Sequence, residues 1–324
     1  MKSVVLISPV KGRVELQEKE VPDPGQGELQ VRVHASLVSP GTERAFILNM
    51  ANTPGTYPME PGYCAAGVVE KVGPGTAGFS PGDRIAAFLL GHRQVGNVAA
   101  QWAVHVPDGI PMEKAAFLTI GQIALQGVRK VRIELGESAL ILGLGIIGQM
   151  ALQICRLCGA APVVGVDRVE GRMRAALECG ADRALDSRKD GWIKEAGEPR
   201  VVIESTGAPE AVSLAFQAAG RFARVSLLAS TRGDSTVNFY RDVHRKGITV
   251  IGAHASLTVA GSESRPGFWT WMDDAECFMR LLKAGRILLE PLISTVADWR
   301  QAEELYSRIL AGDPALIGTV LRWT

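Results

Sequence analysis

"LILGLGIIGQMALQI", residues 140–154, decides the fold. An apolar run ends at Gly143, glycines recur at the G-x-G-x-x-G spacing of Gly143, Gly145 and Gly148, and an amphipathic run begins without a break. A strand that turns sharply into a helix needs this pattern. The first glycine permits the tight turn, the second lets backbone approach a pyrophosphate, and the third lets the helix pack close to the strand. The helix start, at Ile146 and Ile147, offers N–H groups and a positive end to phosphate.

The same texture recurs downstream. "APVVGVD" (161–167) precedes "VEGRMRAALECGA" (169–181), and "RVVIEST" (200–206) precedes "PEAVSLAFQAAG" (209–220), which is the βαβ rhythm of a parallel sheet covered by helices. The second strand ends in Asp167, 24 residues past Gly143 (167 − 143), where an acid accepts hydrogen bonds from adenosine ribose hydroxyls and repels a 2′-phosphate. NAD is therefore expected over NADP. Arg168, with Arg172 and Arg174 behind it, is placed to meet a phosphate or to stack on adenine. Thr206, closing the third strand, joins the same expected cofactor site.

Upstream, short β-branched runs alternate with Gly/Pro turns: "SVVLI", "RVELQEKE", "ELQVRVHAS", "AAGVVEKVG", "DRIAAF" and "QWAVHV". These read as a compact all-β unit. After "GITVIGAHAS" the βαβ pattern gives way to an aromatic segment and a last helix within "ADWRQAEELYSRILAGD". The fold class expected is α/β, a β-rich domain over residues 1–115, a doubly wound parallel-sheet domain over 116–255, and a return segment over 256–324 that completes the first.

Composition narrows the partners. The 324 residues are 47% hydrophobic, enough for a large core, and 35 Lys and Arg nearly cancel 34 Asp and Glu. No summed field favours a nucleic acid or an anionic membrane, so a small-molecule substrate is expected. Pro9, Lys11 and Arg13 end the first apolar stretch far short of a signal core or spanning helix, and five cysteines make no disulfide framework. A reducing, cytoplasmic location is the expectation.

A β-rich unit, a dinucleotide unit and a return segment, in this order, resemble the medium-chain dehydrogenase/reductase superfamily. "VPDPGQGELQVRV", "PGYCAAGVVEKVGPGTAGFSPGDRI", "GLGIIG" and "RKGITVIG" carry the likeness. The resemblance implies a GroES-like catalytic domain, a Rossmann domain with nicotinamide cofactor in the cleft between them, and a homodimer formed through the strand "GITVIGA". In zinc members the resemblance puts the metal ligands at a cysteine before Gly-Thr, the histidine of a Gly-His-Glu, and a later cysteine or acid. This chain has Ser39 near the first position, Tyr63 and Cys64 at the His-Glu pair, and Thr119 near the last. Zinc requires thiolate, imidazole or carboxylate in tetrahedral array, so no zinc is expected.

The chemistry expected is hydride transfer between C4 of nicotinamide and a secondary alcohol or ketone, a sugar or cyclitol in preference. It requires the reacting carbon within about 3.5 Å of C4 and a hydrogen-bond donor for the oxygen, roles for which Tyr63, His92, Glu43 and Ser39 compete. Reduction of an activated C=C bond and dinucleotide binding without turnover are the alternatives. Cys64, Cys155, Cys158, Met150 and Leu157 read as packing residues. Arg44 and His254 are further candidates near the cleft, and Trp269 and Trp271 read as pocket wall, interface or core.

Overall fold

The computed structural model describes residues 1–255 and 269–324. The chain divides into one unit of Met1–Thr119, Ala275–Gly285 and Ile293–Thr324, and another of Ile120–Asp274 with Arg286–Leu292. Residues 256–268, the start of the expected return segment, lie outside the described residues.

The second unit is built on six parallel strands: β8 (Ala139–Leu142), β9 (Val163–Asp167), β10 (Arg183–Asp186), β11 (Val201–Glu204), β12 (Arg224–Leu227) and β13 (Thr249–Gly252). Their order is β10-β9-β8-β11-β12-β13. Both faces are covered, so β8, β9 and β11 are buried along their whole length and read as unbroken apolar runs rather than alternating ones. Leu140, Val164, Val202 and Val225 pack with Phe216 and Trp192 in the core beneath α7 (Pro209–Ala218). From β8 the chain winds outward through β9 to β10, then returns to the other flank of β8 for β11. The carboxyl ends of β8 and β11 thus form a topological switch point, the place where open α/β sheets bind ligands.

The first unit holds a seven-stranded sheet and a separate pair. β1 (Lys2–Ile7) pairs with β2 (Glu15–Glu20). The sheet runs β14 (Ile293–Asp298), β15 (Gly318–Arg322), β3 (Glu28–Val38), β4 (Cys64–Val72), β5 (Arg84–Phe88), β7 (Ala103–His105), with β6 (Val95–Ala99) also on β3. Leu29, Val31 and Val33 of β3 are fully buried against Ile85, Leu305 and Tyr306, each such aliphatic side chain worth about 1.5–3 kcal/mol of burial.

Two elements lie outside the sequence reading, and one expectation is corrected. "SPGTERAFI" holds a helix, α1 (Pro40–Ile47); Pro40 sits at the first helical position, which its fixed φ favours. "VGNVA" is strand β6 despite its glycine and asparagine, because β3 supplies the pairing. On α4 (Ile146–Leu157) Cys155 and Met150 are buried as expected, but Leu157 and Cys158 are exposed because the helix ends there and turns away from the sheet.

Candidate active site

In the second unit the glycines behave as three different devices. Gly143 has φ +92°, and a Cβ there would meet Thr206 Cγ2 at 2.6 Å. Gly148 carries the closest approach, since a Cβ would lie 1.9 Å from the Gly143 carbonyl oxygen. Gly145 differs from both. Its φ of −70° is ordinary, and a Cβ would meet nothing within 4 Å. Nothing in the described chain requires a glycine there, which leaves open space directly above the start of α4. Gly145 caps that helix without a side chain, so the first N–H groups, at Ile146 and Ile147, have no partner within the helix and face that space with its positive end. The residues present fit a dinucleotide pyrophosphate.

Asp167 closes the loop from below. It is 9% exposed. Its Oδ2 accepts the Leu144 N–H at 2.7 Å, and its Oδ1 accepts those of Arg168 at 2.7 Å and Val169 at 2.9 Å. A carboxylate has about four acceptor sites, so Oδ2 retains one for a ribose hydroxyl. Asp167 therefore holds the glycine loop in addition to the ribose contact expected from sequence. Arg168 is exposed beside it. On the other flank Ser205 donates to the Gly143 carbonyl at 2.8 Å, and Thr206 donates its amide at 2.8 Å and its hydroxyl to Glu204. Glu204 is fully buried, and that burial raises its carboxyl above the usual range while the Thr206 hydrogen bonds pull it back.

The first unit gathers hydroxyls and a buried charge. Tyr63 lies at the start of β4, half-buried, with its ring edge-on to Phe88 at 6.4 Å between centroids. Burial pushes its phenol well above the ordinary tyrosine range, with Cys64 and Glu43 adding to the rise and hydrogen bonds with the Ser39 and Thr42 hydroxyls opposing it. The group is a neutral donor at physiological pH. Ser39 caps α1 without using its side chain, because the Glu43 Oε1 accepts the Ser39 amide at 2.8 Å instead. Glu43 and His92 are 1% and 0% exposed. His92 Nε2 meets Glu43 Oε2 at 3.0 Å, Nδ1 meets Ser36 Oγ at 2.7 Å, and Tyr306 donates to the same Glu43 Oε2. Trp323 Nε1 donates to Ser36 Oγ at 2.8 Å.

The remaining candidates scatter. Arg44 turns the other way from Glu43 and donates to the Leu310 carbonyl at 3.1 Å. Cys64 is buried, His254 is exposed, and Thr119 is buried with no partner for its hydroxyl among the described residues. Trp271 is buried, and Trp269 lies under the Arg129 guanidinium at 3.4 Å. No helix of the described residues is long and apolar enough to cross a membrane.

Two family descriptions match: the alcohol dehydrogenase GroES-like domain over residues 25–108 and the zinc-binding dehydrogenase over residues 147–273. The chain belongs to the medium-chain dehydrogenase/reductase superfamily. It is a dehydrogenase of that group. L-threonine 3-dehydrogenase of Pyrococcus furiosus is 27% identical, with 95% of each chain aligned. Galactitol 1-phosphate 5-dehydrogenase of Escherichia coli K12 is 26% identical over 91% of this chain and 92% of its own. A short chain alcohol dehydrogenase of E. coli CFT073, solved with NADH, superposes with a TM-score of 0.85 at 18% identity over 99% of both chains.

The zinc-binding description implies a metal, and the donor set of this dehydrogenase does not fit one. Ser39, Tyr63 and Thr119 stand where the superfamily resemblance puts ligands, and hydroxyls are poor zinc donors at neutral pH. Among the described residues no three His, Cys, Asp or Glu side chains come together to hold a metal. Sequence reading also missed Thr42, Ser36, Tyr306 and Trp323. Thr42 stands next to a named candidate and was within reach; the other three are single polar or aromatic residues in apolar runs, with no spacing that marks them.

Proposed function

We propose that this dehydrogenase is a zinc-independent, NAD-dependent oxidoreductase that interconverts a secondary alcohol, a sugar or cyclitol in preference, and its ketone. The observation that carries the reading is Tyr63, a phenol among the Ser39 and Thr42 hydroxyls at a position where zinc members have a metal ligand. Two relatives named for hydroxyl compounds, threonine and galactitol 1-phosphate, support the substrate class.

The nicotinamide, when bound, supplies or accepts the hydride. The chain's own residues do the rest. The Gly143–Gly148 loop and the start of α4 receive the pyrophosphate, and the free acceptor site of Asp167 takes a ribose hydroxyl. Asp167 also sets a negative charge against a 2′-phosphate, which supports NAD over NADP. Tyr63 meets the substrate oxygen with a hydrogen bond that strengthens as negative charge develops, and Ser39 and Thr42 orient the phenol. In the alcohol-forming direction Tyr63 gives its proton to the substrate oxygen, and the resulting phenolate takes a proton from solvent water, with the Ser39 and Thr42 hydroxyls holding it meanwhile by hydrogen bonds.

The test is turnover of sorbitol, galactitol 1-phosphate, L-threonine and 2,3-butanediol with NAD and NADP, alongside enones with the reduced cofactors, on protein purified without chelator. Activity on a hydroxyl compound with well under one zinc per chain by elemental analysis is expected. Near-stoichiometric zinc, or activity confined to enones, would overturn the reading. A cytoplasmic homodimer belongs to the same proposal. It is supported by β13, an edge strand with β12 on one side and Val250 41% exposed on it. A monomer by light scattering at micromolar concentration would remove that part.

A further inference from the structure

The hydrogen bonds around Glu43 admit one direction. Trp323 Nε1 and the Tyr306 hydroxyl stand at the two ends. An indole N–H only donates, so Ser36 Oγ accepts from Trp323 and keeps its own proton to give. The next atom along is His92 Nδ1, at 2.7 Å. If Nδ1 accepts from Ser36, Nε2 carries the ring proton and donates it to Glu43 Oε2 at 3.0 Å. Tyr306 donates to the same oxygen, and the Ser39 amide donates to the other at 2.8 Å. Every polar hydrogen then has an acceptor. The opposite tautomer leaves the Ser36 proton without an acceptor among these groups and sets an unprotonated Nε2 against a carboxylate oxygen, two buried faults at once.

The chain of bonds therefore ends in a carboxylate with three donors, in the first turn of α1, where the helix dipole favours negative charge. It is closed to solvent, since Ser36, Glu43, His92 and Tyr306 are all within 1% of full burial. A base for a substrate proton needs a route to the substrate, and no hydrogen bond among the described residues leads from this carboxylate to solvent. What it does touch is the frame around Tyr63. On one side it holds the Ser39 amide, which leaves the Ser39 hydroxyl free to face the phenol. On the other, the His92 ring lies beneath Gly62, where a Cβ would come 2.4 Å from His92 Cδ2 and where φ is +89°. Gly62 is the residue before Tyr63, so the imidazole sets the turn that delivers the phenol.

We propose that Tyr306, His92 and Glu43 are positioning residues, a buried anionic strut that fixes Tyr63 and Ser39 from two sides and takes no proton from substrate. The assignment of Tyr306 rests on the Tyr63 reading above and adds a residue from α9 (Ala302–Ala311) that is 243 positions from Tyr63 in sequence.

Side-chain ¹⁵N spectra of histidine in the full chain test the direction of the bonds without any substrate, with His92 assigned from the signal lost in His92→Gln. The Nε2–H tautomer at neutral pH is expected; an Nδ1–H ring or an imidazolium overturns the proposal. Tyr306→Phe then removes one donor from Glu43. Expected are a downfield move of the His92 Nε2–H proton and, on whichever alcohol of the panel turns over, a fall in kcat of about tenfold with KM for NAD within about twofold, the scale of one hydrogen bond to a charged group felt through a second residue. An unmoved His92 proton, or wild-type kcat, overturns it. Trp323→Phe, which removes the donor at the other end, serves if Tyr306→Phe does not fold; there the Ser36–His92 bond and its ¹⁵N shifts must change. Tyr63→Phe run in parallel separates the two ideas: if it retains turnover the Tyr63 reading falls, whereas the tautomer speaks to the strut alone.

Discussion

The proposed cofactor cradle of the second unit is made of backbone, and the proposed substrate-facing cluster of the first is made of side chains. In the cradle the working groups are the amides at the start of α4, beside Gly145, where a Cβ would meet nothing within 4 Å. In the cluster they are the Tyr63, Ser39 and Thr42 hydroxyls, beside a buried carboxylate whose three donors are the Ser39 amide, His92 and Tyr306, with Ser36 and Trp323 behind His92. A backbone site tolerates exchange of most neighbouring side chains but no Cβ at three points. A side-chain site tolerates backbone drift but no loss of a hydrogen-bonding atom. The two therefore fail differently.

The largest effect is expected in the cluster. Tyr63→Phe keeps the ring against Phe88 and deletes the donor, so kcat should fall by about 10²- to 10³-fold with NAD affinity unchanged; a change of only a few-fold would place the proton donor elsewhere. In the cradle, Gly148→Ala forces a Cβ onto the Gly143 carbonyl, and a stability loss of about 1–3 kcal/mol should accompany the loss of NADH binding. Gly145→Ala should separate these two outcomes: melting temperature unchanged, NADH affinity by fluorescence titration down by about tenfold or more. If Gly145→Ala binds NADH normally, the space above it is not the pyrophosphate site. Asp167→Ala should move the NAD to NADP affinity ratio by about tenfold toward NADP, and should also loosen the loop, because the Leu144 amide loses its acceptor.

The smallest effect sharpens the contrast between buried carboxylates. Glu43 has three donors, whereas Asp274 in the second unit has Arg129 at 2.7 Å on Oδ1 and, among the described residues, no hydrogen-bond partner on Oδ2. Burial pushes Asp274 up to about 6, against the pull of Arg129. The folded state thus binds this proton more tightly than the unfolded chain, whose aspartate titrates near 3.8. Its contribution favours the fold below that value and is lost as pH rises through about 6. Lowering pH from 7 to 5 should stabilise wild type relative to Asp274→Asn by about 1 kcal/mol, read from denaturant midpoints. A parallel response in the two proteins would show that Asp274 is not the group.

The same contrast explains what could be read without coordinates. Gly143, Gly145, Gly148 and Asp167 lie within one βαβ unit, and the spacing is itself the geometry, so their arrangement was legible. The short apolar strands β8, β9 and β11 were legible for the same reason: a strand buried on both faces shows no alternation to misread. Tyr63, Ser39, His92 and Glu43 could be named as candidates only because zinc ligands are missing around them. Which of them face one another depended on β3, β15 and α9 coming together, and no local pattern encodes that Tyr306 and Trp323 end up beside residues 36 and 43. α1 was hidden by its own Pro-Gly start, which serves turns and helix beginnings equally well.

The interrupted course of the first unit also has a consequence for biosynthesis. β15 pairs with β3 across Ala35–Val38, and Tyr306 and Trp323 supply two hydrogen bonds of the buried chain, yet all three are translated after the whole of the second unit. While the ribosome is still reading codons beyond residue 292, the nascent β3 has an open edge and Glu43 lacks the Tyr306 donor. The Rossmann unit has every one of its strands by then. Chaperone demand during translation should accordingly fall on the first unit, which is begun before the Rossmann unit and finished after it.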